Sequence, residues 1–183
     1  MNILGPFFWL FLGAAIHLFG FGRWMTLFAA WLMPVLVLHF AHAMPALAGM
    51  LWIWLALALA MAVSLRGVVP IPGVAYLALP VFFGLFAALP FLVDRLAAPL
   101  VPGFWATLVF PAAWAAIEFL ESRATPYGTW GATGYTQHGV LPLMQLASVT
   151  GVWGIGFLIG WFASVVTGPG ISSSSGAGFS TAC

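Results

Sequence analysis

The 183-residue sequence contains no lysine, and its one cysteine is the final residue, Cys183. A lone thiol excludes a disulfide framework and any cysteine-based metal cluster. Cys183 also has no neighbouring base or cation to activate it. Charge is almost as scarce: four arginines and three acidic residues give a formal net charge of +1. A nucleic-acid partner would have to meet a basic patch, and the sequence cannot build one. Soluble domains carry about 25% charged residues, and seven charged side chains cannot cover a water-soluble globule of this size. No basic stretch precedes the first apolar run, and residues 3–21 are long enough to span a bilayer, so no signal peptide is evident.

What the sequence has in abundance is apolar surface. It is 64% hydrophobic, with a mean hydropathy of +1.15. A helix crossing ~30 Å of hydrocarbon needs ~20 mostly apolar residues. Six stretches qualify: 3–21, 24–44, 46–65, 74–93, 104–120 and 143–166. Arg23, Arg66, Asp94 with Arg95, and Glu121 with Arg123 fall between them, and the breakers "RGVVPIPG" and "APLVPG" mark the same places. Lipid leaves no backbone group unpaired, so these spans are expected to be α-helical. The expected fold is therefore an all-α integral membrane protein, a bundle of about six transmembrane helices over residues 1–166. The remainder, "TGPGISSSSGAGFSTAC" at 167–183, is rich in Ser and Gly and is expected to be disordered. Pro34, Pro80, Pro90 and Pro111 predict kinks, not helix ends. Gly156, Gly160 and Ser164, at a four-residue spacing that Ala147 and Gly151 share, predict a close-packing face on a single sixth helix.

A few polar residues interrupt these helices. Glu118, two residues before the end of the fifth span, has Trp114 one turn below it on the same face. It is either a site or anchor at one membrane surface, or a carboxylate that pairs with Arg123 or caps the following loop. His39 and His42 share a face at i and i+3, but no carboxylate or thiol nearby in sequence completes a metal site. They read as interfacial histidines. His17 reads as a buried, hydrogen-bonded histidine. No metal or cofactor is implied.

The segment "TPYGTWGATGYTQHG", residues 125–139, is richer in aromatic and amide groups than a plain connection needs. Together with its flanks it forms "WAAIEFLESRATPYGTWGATGYTQHGVLPLMQLASVTGVWGIGFL". This resembles the membrane region of the apolipoprotein N-acyltransferase family, in which a helix ending Trp-x-x-x-Glu-Phe leads into a Pro-Trp-x-x-x-Gly-Tyr-Ser/Thr-Gln loop. A helix of the form Leu-x-Gln-x-Ala-x-x-x-Gly-Val follows. The matching residues are Trp114, Glu118 and Phe119, then Trp130, Gly134, Tyr135, Thr136 and Gln137. They continue with Gln145, Ala147, Gly151, Val152, Phe157 and Leu158. Two local departures are Thr129 where the family has Pro, and Glu121 where it has Arg.

The resemblance implies a multi-pass protein of the bacterial inner membrane. In the full-length form a Glu–Lys–Cys triad in a nitrilase-like domain moves an acyl chain from a phospholipid to the N-terminal diacylglyceryl-cysteine of a lipoprotein. Such catalysis needs an activated thiolate, and here no catalytic residue carries over. The 183 residues alone are therefore not expected to be active, and the chain reads as a truncated relative. In this setting Tyr127, Trp130, Tyr135 and Gln137 either line the entry route for lipid or lipopeptide, or form an aromatic-belt loop that packs on the bundle. Trp114, Glu118, Gly134, Gln145 and Gly151 are the expected structural motif. The resemblance places this loop outside and the N-terminus in the cytoplasm, whereas the positive-inside count over four arginines favours the reverse. The rival reading is a stand-alone, non-catalytic membrane module that binds lipid or a partner protein. A small transporter fits less well, because no helix centre carries the charges of an ion path.

Overall fold

A computed structural model describes residues 4–20, 24–71 and 73–168. Arg23, Cys183 and the expected disordered tail from residue 169 onward lie outside the described residues. Seven α-helices follow one another: α1 Leu4–His17, α2 Leu27–Ala43, α3 Ala46–Ser64, α4 Ala78–Ala97, α5 Val109–Ala124, α6 Leu141–Thr150 and α7 Val152–Thr167. Short 3-10 turns lead into α4 and α5, so the fourth and fifth apolar stretches begin in 3-10 geometry. With these turns included, three helices among the described residues are long and apolar enough to cross a membrane: Ala46–Ser64, Gly73–Leu100 and Gly103–Ala124. Two shorter apolar helices, α1 and α2, accompany them.

The expected sixth span is not one helix. It divides at Gly151 into α6 and α7, which meet at an angle of 117°. Gly151 has φ 69° and ψ −177°, a conformation that glycine adopts without the steric cost other residues meet. Consequently Ala147 and Gly151 do not extend the small-residue face of α7. That face is still present farther on, where Gly156, Gly160 and Ser164 are all buried. Two of the four prolines, Pro34 and Pro90, sit within helices. Pro80 and Pro111 instead fall in the first turns of α4 and α5, just after the 3-10 turns that lead into them.

Small residues set the closest approaches between helices. A Cβ at Gly13 of α1 would lie 2.8 Å from the Val37 side chain of α2, and one at Gly84 of α4 would lie 2.8 Å from the Ala58 backbone of α3. At Gly160 of α7, a Cβ would lie 3.1 Å from Pro111 of α5. Lipid tails are as apolar as leucine, so such close packing replaces the hydrophobic drive that holds soluble helices together. The interior is filled by Leu10, Val37, Phe40, Ile53, Leu57, Phe91, Phe110 and Trp114. Phe91, Phe110 and Trp114 form an aromatic triangle with centroids 5.1–5.8 Å apart. Leu4, Phe11, Leu47 and Leu59 point outward and are exposed, as expected where lipid is the solvent.

One end of the bundle holds a polar pair that reading along the chain does not bring together. Asp94 is not a loop charge: α4 runs on to Ala97, and Asp94 is buried there. Its Oδ2 lies 2.8 Å from His42 Nε2 of α2. Arg95 Nε donates to the Met44 carbonyl at 3.4 Å. His39, on the same face as His42, packs instead on the Trp9 ring, centroids 4.9 Å apart. Asp94→Ala is expected to cost about 1 kcal/mol, the net worth of one hydrogen bond whose remaining partner can still reach water. A thermal unfolding midpoint in detergent micelles would register the change.

Candidate functional site: the loop between α5 and α6

Residues 125–140 cover the opposite end of the bundle. Trp114 and Glu118 lie one turn apart on α5, and Trp114 Nε1 donates to Glu118 Oε1 at 3.0 Å. The same oxygen accepts the Thr133 N–H at 2.8 Å and the Thr133 hydroxyl at 2.6 Å. Glu118 thus hydrogen-bonds the loop that follows α5. Arg123 stacks over Phe119 instead, 5.5 Å from the ring centroid. Thr133 opens a 3-10 turn, Thr133–Gln137, so the carboxyl group fixes the start of that turn to α5.

Gln137 closes the same turn from the other side. Its Nε2 donates to the Leu27 carbonyl of α2 at 3.1 Å and to Thr136 Oγ1 at 2.8 Å. Its Oε1 accepts from Trp31 Nε1 at 3.0 Å. Gln137 is fully buried and so stands behind the loop, away from the open mouth where the sequence reading grouped it. Between these two anchors Gly134 seats the turn on α7, since a Cβ there would come within 2.5 Å of the Val152 carbonyl oxygen. The loop is thus pinned to α5, α2 and α7 by three different means.

The aromatic residues face outward. Tyr127, Trp130 and Tyr135 are each partly exposed and border an open groove of about 710 Å³ together with Met25 and Val68. Phe83 of α4 supports them, with centroids 5.8 Å from Tyr127 and 6.1 Å from Trp130. The Tyr135 hydroxyl lies 2.7 Å from Thr129 Oγ1. Glycines at 128 and 131, both with positive φ, let the chain fold back tightly around Trp130. Beneath residues 129–132 lies a smaller cavity of about 90 Å³ bordered by His17, Met33, Phe83, Trp114, Glu118 and Glu121.

His17 is buried as expected, but it is not hydrogen-bonded: neither ring nitrogen has a protein partner. Gln145 is exposed on α6, a helix with no buried residue, and so lies apart from the node formed by Trp114, Glu118 and Gly134. Gly151 acts at the helix break. The sequence reading missed Thr133 and Phe83. Thr133 left no signal beyond lying within the motif, and Phe83 looks like any other apolar residue of its helix. Among the described residues, no group of three His, Cys, Asp or Glu side chains is placed to hold a metal ion.

An all-helical bundle with three long apolar helices, capped at one end by an anchored aromatic loop, defines a multi-pass membrane domain. The apolipoprotein N-acyltransferase N-terminal domain family matches residues 43–165, well over half of the sequence and including the whole loop. The chain belongs to that family. It is 42% identical over 50 residues to the apolipoprotein N-acyltransferase of Geobacter metallireducens, covering 27% of this chain and 10% of that protein. Over 99 residues it is 35% identical to the Bradyrhizobium diazoefficiens protein of the same name, covering 51% of this chain and 17% of the relative. A 50-residue stretch is 38% identical to apolipoprotein N-acyltransferase 2 of Treponema pallidum. In these comparisons the chain spans less than a fifth of each relative's length. No solved structure matches it.

Proposed function

We propose that the chain is the membrane part of an apolipoprotein N-acyltransferase of the bacterial inner membrane, with the 125–139 loop on the outer face. In this reading the groove between Tyr127, Trp130 and Tyr135 receives an acyl chain of a phospholipid donor. The lipoprotein acceptor approaches the same mouth. Acyl transfer itself belongs to a nitrilase-like domain outside these residues, because the sequence holds no lysine and no cysteine except the terminal one. The observation that carries the proposal is the anchoring of the loop. Glu118 and Gln137 hold its backbone from opposite sides, leaving an aromatic, partly apolar groove open. A belt loop that only packed on the bundle would have no need to hold such a groove open.

The test is a fusion in which the next membrane helix and the catalytic domain of a full-length relative follow residue 166, assayed for lipoprotein N-acylation in membranes. The fusion is expected to transfer acyl chains. Trp130→Ala in it is expected to lower the rate about tenfold, the equivalent of ~1.4 kcal/mol of lost transition-state binding, at unchanged membrane levels. A stably inserted fusion with no transfer would point instead to a stand-alone lipid-binding module.

A further inference from the structure

We propose that α6 is an interfacial helix, lying nearly in the plane of the bilayer with its outer face in the headgroup–acyl boundary, and is not the first half of a span. Its orientation follows from α7. A Cβ at Gly156 would lie 3.0 Å from Glu118 Oε2, and one at Gly160 would lie 3.1 Å from Pro111, so α7 runs antiparallel to the span that contains α5. The 16 residues of α7 reach ~24 Å at 1.5 Å per residue, most of a hydrocarbon thickness of ~30 Å. The bend of 117° between α6 and α7 is 27° past a right angle, so α6 lies across that direction. The depth of the junction is marked as well. Trp153, in the first turn of α7, packs on Phe119 with centroids 5.2 Å apart, and Arg123 lies 5.5 Å from the centroid of the same ring. A charge this close to a helix end reaches for the headgroups, and Trp favours the same level.

The two sides of α6 differ. Leu143 and Ala147 pack against Ala30, Ile155 and Ile159, whereas Leu141, Met144, Gln145, Ser148 and Val149 are exposed. Those five positions fall within one arc of ~140° on a helix of 3.6 residues per turn. Bulk water is a poor cover for this face, since Val149 is 84% exposed and no Lys, Arg, Asp or Glu follows Arg123 anywhere in the sequence. The hydroxyls of α6 turn back to its own backbone, Ser148 Oγ donating to the Gln145 carbonyl and Thr150 Oγ1 to the Leu146 carbonyl. The hydrocarbon centre fits no better, because the Gln145 amide is exposed on the same arc. An apolar face with one amide and no charge suits the boundary between the two phases. The lipid-facing surface of α7, exposed at Phe162 and Val165, adjoins it through Gly151. Tyr135 and Thr136 border the open groove shortly before α6 begins, so an embedded α6 holds the mouth of that groove at headgroup depth.

Nitroxide labels in the full chain read depth directly. On a Cys183→Ser background, Leu141→Cys and Val149→Cys each place a label on the exposed face of α6, and Phe162→Cys places one on the exposed side of α7. In phosphatidylcholine vesicles, collision with oxygen and with a water-soluble nickel chelate gives the depth of each label. The two α6 positions are ~12 Å apart along the helix, and an incline of 27° turns that distance into a depth difference of ~5 Å. Both α6 labels are expected within about 10 Å of the phosphate level, ~5 Å apart in depth, and shallower than the label at 162. A depth difference of about 12 Å would make α6 a half-span and overturn the proposal. So would dominant nickel access at both positions, which would put the face in water, or shielding from both reagents, which would put a protein partner on it. None of these outcomes depends on acyl transfer.

Discussion

Glu118→Ala is expected to destabilise the folded chain by about 3 kcal/mol and to release the loop that follows α5. Its Oε1 is the shared acceptor for the Thr133 N–H, the Thr133 hydroxyl and Trp114 Nε1. Without it the first two lose their partner in a part-buried place, at about 1–3 kcal/mol each. Trp114 fares better, because Thr133 Oγ1 lies 3.2 Å from its Nε1. Glu118→Gln keeps an acceptor at the same position and is expected to retain most of the stability. Thermal unfolding in detergent, with limited proteolysis between residues 125 and 139, separates the two variants. Equal midpoints for Ala and the parent chain would show that Glu118 does not hold the loop.

The second large effect is expected at Gly134, where alanine should cost about 2–3 kcal/mol. An added Cβ would come within 2.5 Å of the Val152 carbonyl oxygen and 2.6 Å of the Val152 side chain. The carbonyl belongs to the first turn of α7 and cannot step aside as a flexible side chain would. Overpacking of this kind typically costs 1–3 kcal/mol. Because Val152 follows the break at Gly151, the strain is expected to reach the α6–α7 junction. Hydrogen exchange should show faster opening of residues 133–137 and of the first turn of α7, with α3 and α4 unchanged. Full protection in both segments would contradict the close seating of the loop on α7.

Much of the bundle is legible in the sequence, because hydropathy reports directly on which residues can face lipid. Its limits are equally physical. Hydropathy is blind to direction, so the apolar run through Gly151 reads as one span although the chain turns there by 117°. Asp94 reads as a loop charge because it precedes Arg95 and a Pro-rich stretch. Buried, it pairs with His42, which is 52 positions away. The Trp114–Glu118 pair was readable because helical geometry fixes the i, i+4 relation. Thr133 was not, since only the folded loop carries it back to the carboxyl group. Gln137 shows the same limit, because spacing groups it with the exposed aromatic rings while its hydrogen bonds hold it against α2. The family motif singled out the loop, but it did not separate the residues that anchor it from those that face the groove.

The claim that the Tyr127–Trp130–Tyr135 groove receives a lipid chain has a direct test. A photo-reactive benzoylphenylalanine at position 130, in the full chain within native membranes, should on irradiation capture phospholipid, detected as a lipid-sized mass increase on the protein. The same label at position 57, inside the core where Leu57 is fully buried, should capture none. Phospholipid adducts at 130 and not at 57 are the predicted result. If position 130 yields only crosslinks within the chain, the loop is packed against the bundle and the groove is not a lipid site.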